Sequence, residues 1–546
     1  MPSPALPALL AAACAQAQEE WQSDGRITRL WRADATLWTG GDEAAWLGWL
    51  QAPQRERARL AAYRECASAA QTQGLTHVLW CGIGGSSLAA QVYGNLAPAN
   101  VRLPITVLDT LIPEDLAEAE RTIGLEQCLV AVASKSGSTL EMRMLMERLL
   151  LRVPARQFVA LTDPGTVLEQ EATRRGFAAV FHGEPTVGGR YSALTAFGLL
   201  AAALAGFDLD RLLDRAEAMA AACHGEDPAN PGLALGLLLG CAARQGRNKL
   251  LLLGSPRLHT FALWIEQLVA ESTGKAGQGI VPVAAPPRES LNTAAQADQL
   301  VVRLALRGDP APPAAPAGAA VIDFILDDPH DLGAELFRWM FATAVAGAVL
   351  GVHPFNQPDV EAAKTAARKY LTATATAAAD PQQAPLQLMS ASGTGDRKQT
   401  PASAVKGLLR TLGAGDHLAL LCWLPATAAP AIARLQQQLA NGLGIAVSVG
   451  FGPRYLHSSG QLHKGGPAQT ACLMLSADPA RVTAEWRPFA DTVDAQARGD
   501  ADALAARGRR VVWLQLGLPL EGSLSALATL IGNGTNGTNG TEAPPV

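Results

Sequence analysis

Leu129-Val130-Ala131-Val132-Ala133-Ser134-Lys135-Ser136-Gly137-Ser138-Thr139 is the stretch from which the rest of the chain can be read. Its apolar first half reads as a buried strand, and Leu140 to Leu151 repeats apolar residues at helical spacing. A strand that breaks into small hydroxylated residues and then a helix suits an anion, because the helix start offers free backbone N–H groups and the positive dipole end. Ser134, Ser136, Ser138 and Thr139 add hydroxyl donors, and Lys135 adds a nearby charge. An ordinary helix cap also uses Ser or Thr. One such residue suffices for a cap, whereas four occur here with a Lys and a Gly. We read the segment as a phosphate loop.

Outward from this loop, Thr76 to Pro185 alternates strand and helix. Strand-like runs fall at Val78–Cys81, Ile105–Leu108, Leu129–Ala133, Phe158–Leu161 and Ala178–Phe181, the pattern of a parallel, doubly wound sheet. Helical stretches follow at Tyr191–Gly206 and Leu212–Ala243. The alternation restarts with Leu250–Leu253, a helix over His259–Ala270, strands near Val301–Leu306 and Val321–Leu326, and a helix over Leu332–Val349. Beyond Ser403 a third region has strand runs at Leu418–Trp423, Ile445–Gly450 and Val511–Leu516, with a helix over Ala428–Gly442. Pro/Ala-rich runs at Gly308–Ala320 and Thr372–Pro385 read as surface connections.

Composition bounds the function. The 546 residues are enough for several domains; 49% are hydrophobic and 17% charged, and mean hydropathy is +0.12, so large buried cores are expected. A net charge of −5 argues against a nucleic-acid partner, which would demand a clustered basic surface. No apolar run free of polar interruption reaches the length of a membrane span, so no membrane partner is expected. The eight cysteines are scattered without a CxxC pair, which points to a reducing compartment. The Ala/Leu-rich start lacks a preceding Lys or Arg and reads as a helix of a cytoplasmic protein.

Further motifs punctuate the sheet edges. Cys81-Gly82-Ile83-Gly84-Gly85-Ser86-Ser87 follows the first strand and opens a helix, where glycines allow close backbone approach and Ser86 can donate. It misses the G-x-G-x-x-G spacing of a dinucleotide site, and only Asp109 stands near the usual acidic position. Both loops belong to the carboxyl edge of one sheet, where ligands collect. Gly188-Gly189-Arg190-Tyr191-Ser192 offers a guanidinium suited to a developing oxyanion, or a surface Arg beside a turn. Glu271, in Ala270-Glu271-Ser272-Thr273-Gly274-Lys275, is a candidate proton-transfer base or a solvated helix-face carboxylate. Lys364, in the His353–Lys364 segment HPFNQPDVEAAK, reads equally as an ordinary helix-surface lysine.

The ordered set GIGGSS, SKSGST, GGRYS, AESTGK and HPFNQPDVEAAK resembles the glucose-6-phosphate isomerase family, and most closely the isomerase half of bacterial fused transaldolase–glucose-6-phosphate isomerases. RLWRADATLWT at Arg29–Thr39 and GPRYLHSSGQLHKGG at Gly452–Gly466 extend the likeness over about residues 25–520. The resemblance implies two sugar-isomerase (SIS) domains, each a doubly wound parallel α/β sheet, plus a C-terminal α/β segment. It also implies interconversion of glucose 6-phosphate and fructose 6-phosphate through a cis-enediolate. Ser134, Ser136 and Thr139, with the Lys135 backbone, would hold the phosphate, and Gly85 and Ser86 would line the sugar. Arg190 would stabilise the enediolate, Glu271 would move the proton between C2 and C1, and Gln357 and Lys364 would complete the site. No metal or cofactor is called for. The partner is a small sugar phosphate, with a homodimer possible. A dual phosphoglucose/phosphomannose isomerase and a non-catalytic sugar-phosphate-binding module are the alternatives.

Two departures stand out. Asn356 replaces the Asp of the family motif, and residues 276–329 contain no histidine where the family's ring opener lies. His353, His457 and His463 are the candidates to open the ring, with His457 favoured. The expected organisation is an N-terminal helical segment (1–50), a first domain with the phosphate loop (51–210), a second (211–375), a linker (376–402), a C-terminal α/β region (403–530) and a disordered tail (531–546).

Overall fold

β1 (His77–Gly82), β2 (Ile105–Leu108), β3 (Cys128–Ala133), β4 (Phe158–Thr162) and β5 (Ala179–His182) form a parallel sheet in the order β2-β1-β3-β4-β5. Each strand lies within one residue of its expected bounds. The computed structural model describes residues 6–98, 103–286, 296–372, 385–389, 399–478 and 482–535, with the side chains of 360–364, 372 and 533–535 outside that description. β3 is buried along its whole length, which explains its uninterrupted apolar run. The chain leaves β1 for β2 on one side and then reaches β3 on the other, so the carboxyl ends of β1 and β3 flank the switch point where such sheets take ligands. Gly82 pairs with Ala133, and the loops after β1 and β3 therefore leave the sheet side by side.

The second sheet holds β6 (Lys249–Gly254), β7 (Val281–Ala284), β8 (Gln299–Leu306) and β9 (Val321–Leu326) in the order β7-β6-β8-β9, all parallel. β7 escapes the sequence reading because Pro282 interrupts a four-residue run. At a sheet edge its missing N–H is tolerated. The helix expected over 212–243 is two helices, Leu209–Ala222 and Pro231–Arg244. They are divided at Asn230, whose side chain accepts from Gly232 N and Leu233 N to cap the second. The Leu332–Leu350 helix lies within a span long and apolar enough to cross a membrane, but 78% of that span's apolar window is buried, and it packs in the core.

The C-terminal α/β segment is a complete third sheet: β10 (Leu386–Met389), β11 (His417–Trp423), β12 (Ala446–Phe451), β13 (Thr470–Ala477) and β14 (Arg510–Leu516), ordered β10-β14-β13-β11-β12. β10 runs antiparallel to β14 and lies inside the stretch 376–402 expected as linker. The expected disordered tail begins too early, since the Leu520–Thr535 helix passes through Ile531, which is fully buried. Residues 536–546 lie outside the described residues.

Strand alternation shares the sheets among three cores. Val78, Trp80, Leu250 and Leu252 pack in the core between the first and second sheets. Leu79, Cys81, Leu421 and Met474 pack between the first and third, and Leu251, Leu253, Leu420 and Leu473 between the second and third. Each sheet thus faces both others. This three-way packing carries a segment of the third unit onto the ligand edge of the first.

Candidate active site

The phosphate loop leaves β3 with Ser134 buried and Ser136 and Ser138 exposed. Gly137 adopts φ +66°, and a Cβ there would stand 2.5 Å from Thr166 Cβ, so glycine lets the loop fold against the turn after β4. Ser134 Oγ donates to Thr139 Oγ1 at 2.9 Å, and Ser138 Oγ donates to Ser136 Oγ at 3.1 Å. Thr139 occupies the N-cap of the Leu140–Leu150 helix but makes no side-chain bond to its N–H groups. Thr166, at the next helix start, does cap, accepting from Glu169 N. Four hydroxyl residues that leave the helix start uncapped favour an anion seat over a cap. Lys135 turns away: its Nζ donates to Asp163 Oδ2 at 2.5 Å and Glu184 O at 2.8 Å. Its charge therefore pins the loop to its neighbours, and its backbone is what remains for a ligand.

Beside this loop, Gly84 has φ +58°, and a Cβ there would lie 2.2 Å from His457 O. A Cβ on Gly85 would lie 2.3 Å from Gly189 C, so the β1 loop abuts the backbone that delivers Arg190. Ser86 is half-buried, its carbonyl accepting from Trp80 Nε1 at 2.8 Å.

Arg190 is buried, not a surface residue beside a turn. Nε donates to Ser272 Oγ at 2.8 Å, Nη1 to Gln357 Oε1 at 3.0 Å, and Nη2 to Pro354 O at 2.7 Å and Asn356 O at 2.9 Å. Nη1 also faces Glu271 Oε1 at 3.2 Å. The guanidinium thus makes four hydrogen bonds and one ion pair. Glu271 sits in the last turn of the His259–Thr273 helix, largely buried, and its Oε2 accepts from Gln267 Nε2 at 3.1 Å. Gln357 is exposed at the rim. Lys364 belongs to the Pro358–Thr372 helix, but its side chain lies outside the described residues.

The three histidines separate cleanly. His457 Nε2 meets Glu141 Oε1 at 3.0 Å, and His457 O accepts from Gln267 Nε2 at 2.7 Å, so the third unit reaches the helix of Glu271 within one chain. Glu141 is buried, and burial alone would raise its pKa. The charge of His457 and hydrogen bonds from His457, the backbone and Gln496 outweigh burial and hold the carboxyl down at about 2. His353 is occupied: Nδ1 accepts from Phe355 N and Asn356 N, and Nε2 meets Asp42 Oδ1 at 2.7 Å. His463 is buried against His417, where burial, then the charges of His417, Lys464 and Arg509, press its pKa well below the usual imidazole range.

Glu141, Gln267 and Ser272 were not anticipated. Gln267 precedes Glu271 by four residues and shares its helix face. An acid in the first turn after an anion loop, as Glu141 is, is costly unless a cation answers it, and that was its only signal. Among the described residues, no three of His, Cys, Asp and Glu are grouped to hold a metal.

Residues 61–280 match the phosphoglucose isomerase family. A glucose-6-phosphate isomerase of Symbiobacterium thermophilum is 31% identical over 389 residues, 59% of this chain and 86% of that protein. A Synechococcus sp. (strain JA-3-3Ab) protein of the same name is 38% identical over 216 residues, but the match spans only 40% of its length and 37% of this chain. Among solved structures, hypothetical protein TT0462 of Thermus thermophilus superposes with a TM-score of 0.58 at 25% identity, over 67% of this chain and 98% of that one.

Proposed function

The chain belongs to the glucose-6-phosphate isomerase family, and from that premise we propose that the Ser134–Thr139 loop, Arg190, Glu271 and His457 together interconvert glucose 6-phosphate and fructose 6-phosphate. The phosphate sits on the uncapped start of the Leu140–Leu150 helix, held by Ser134, Ser136, Thr139 and the Lys135 backbone. That places the sugar over Gly85 and Ser86 and against Glu271. With glucose 6-phosphate, His457 protonates the ring oxygen while the C1 hydroxyl gives its proton to solvent, and the C1–O5 bond breaks to open the chain. Glu271 then takes the C2 proton, giving a cis-enediolate; the O2 hydroxyl proton passes to O1, and Glu271 returns its proton to C1 as the oxygen on C2 becomes a carbonyl. Reversal uses the same groups.

Arg190 answers the charge that develops on the enediolate oxygens. Its Nη1 is the nitrogen to do so, because its partners are Gln357 and Glu271, both site residues, whereas Nη2 is spent on backbone carbonyls. Glu141 holds the His457 imidazole in place through the 3.0 Å contact of Nε2 with Oε1. Gln357, which accepts from Arg190 Nη1, closes the sugar's far side. The observation that carries this reading is the Glu271–Arg190 contact at 3.2 Å, buried at the helix end beside the two loops.

Base, guanidinium and histidine come from one chain, so a homodimer is not needed to complete the site. The eight free cysteines, six of them buried, suit a reducing, cytoplasmic setting. The test is a coupled assay of glucose 6-phosphate formed from fructose 6-phosphate, with mannose 6-phosphate as competitor. Turnover within the usual enzymatic range of about 1–10³ s⁻¹ is expected. No product would favour a non-catalytic binding module. Conversion of mannose 6-phosphate with a similar kcat/KM would favour the dual isomerase.

A further inference from the structure

Lys275 is a buried amine with no assigned task. It lies four residues after Glu271, beyond the end of the His259–Thr273 helix, and its side chain turns back inward. Nζ donates to Ser272 O at 3.0 Å and to His353 O at 2.6 Å. Ser272 O is among the carbonyls a helix end leaves without a backbone partner. His353 opens the loop whose Pro354 O, Asn356 O and Gln357 Oε1 all accept from Arg190. One amine therefore joins the helix end that carries the base to the loop that cages the guanidinium. Burial, and next the neighbouring Arg190 charge, push the Lys275 pKa well down, against the opposing pull of Glu271 and Asp359. Both bonds end on backbone carbonyls that the amine ties together.

We infer that Lys275 is a positioning residue for isomerisation: by bridging Ser272 O and His353 O it fixes Glu271 relative to Arg190. The inference rests on the proposed roles of those two residues. The N-terminal segment supports the same loop from its other side through Asp42 and His353, so the loop keeps an anchor when the amine is removed.

Lys275→Met keeps the stem and removes both donors. Kcat/KM for fructose 6-phosphate should fall about 10²-fold, the cost of misplacing reacting groups by about 1 Å. A five-carbon phosphorylated aldonohydroxamate, whose planar anion imitates the enediolate, should lose affinity by the same factor. Glucitol 6-phosphate, which has the phosphate but no planar anion, should bind within about threefold of wild type. Equal loss for both ligands, or an unchanged kcat/KM, overturns the inference. If Lys275→Met does not fold, Lys275→Gln, which offers two N–H donors on a shorter stem, is judged by the same ratio of the two ligands. Wild-type protein that binds the hydroxamate no better than glucitol 6-phosphate would instead refute the enediolate reading, so the two failures are distinguishable.

Discussion

Gly85→Ala separates geometry from chemistry, because it adds one methyl group and removes no functional atom. The added Cβ would stand 2.3 Å from Gly189 C, 2.4 Å from Gly189 O and 2.7 Å from Arg190 N. Non-bonded carbon atoms rest near 3.5 Å, so the β1 loop and the Arg190 segment must part by about 1 Å. The atoms in the way are backbone, and no flexible side chain can swing aside. Arg190 would then leave its 3.2 Å approach to Glu271. A displacement of that size costs about 10²-fold in kcat, and overpacking costs a further 1–3 kcal/mol or so of stability. Initial rates in the coupled assay would be measured beside urea unfolding and phosphate inhibition, with phosphate affinity expected to hold because the 134–139 loop is untouched. A folded Gly85→Ala protein with kcat within about threefold of wild type would refute the claim that this contact sets the catalytic geometry.

Ser136→Ala with Thr139→Ala should raise KM about tenfold or more, since donors to a dianion are lost, with 6-phosphogluconate inhibition weakening in parallel. An unchanged inhibition constant would put the phosphate elsewhere. His457→Ala, and to a lesser degree Glu141→Gln, should slow turnover of cyclic substrate while sparing a substrate mixture enriched in open chain. Equal effects on both forms would remove the histidine from ring opening. Stability should rise with pH up to about 6.5, the range of an unfolded imidazole, because burial, then the charges of Lys249 and Arg509, hold His417 at about 3. The unfolded chain binds the proton that the folded chain refuses, so unfolding free energy falls as pH drops. His417→Asn should flatten that slope by up to about 1.4 kcal/mol per pH unit, and an unaltered slope in urea melts would contradict the assignment.

The first sheet was legible because its strands are long apolar runs separated by clear helical periods, and the phosphate loop because four hydroxyl residues at one strand end exceed what a cap requires. Composition hid other elements. Pro282 obscures β7, whereas β13 is a buried apolar run that Gly465-Gly466-Pro467 frames and that was missed all the same. β10 is four residues at an edge, too short to stand out from its Pro/Ala-rich surroundings. Site residues were visible where glycine or hydroxyl clusters marked them. Residues that act through others left little trace: Gln267 and Lys275 look like any polar residue of a helix and its end, and Glu141 like a first-turn acid. The choice among three histidines depended on long-range packing. The packing of the third sheet on the other two brings His457 to Glu141, and contact of the N-terminal segment with the loop after the Leu332–Leu350 helix binds His353 to Asp42.

The central claim, that Glu271 carries the proton between C2 and C1, is tested most directly by isomerisation in D₂O followed by NMR at those two carbons. Wild-type protein should introduce deuterium at C1 of fructose 6-phosphate and C2 of glucose 6-phosphate, because a carboxylate holding the proton in mid-reaction exchanges with solvent. Glu271→Gln keeps the shape but cannot accept the proton. Its exchange and turnover should fall by at least about 10²-fold with glucitol 6-phosphate still bound. Exchange or turnover by Glu271→Gln at a rate within a few-fold of wild type would contradict the account.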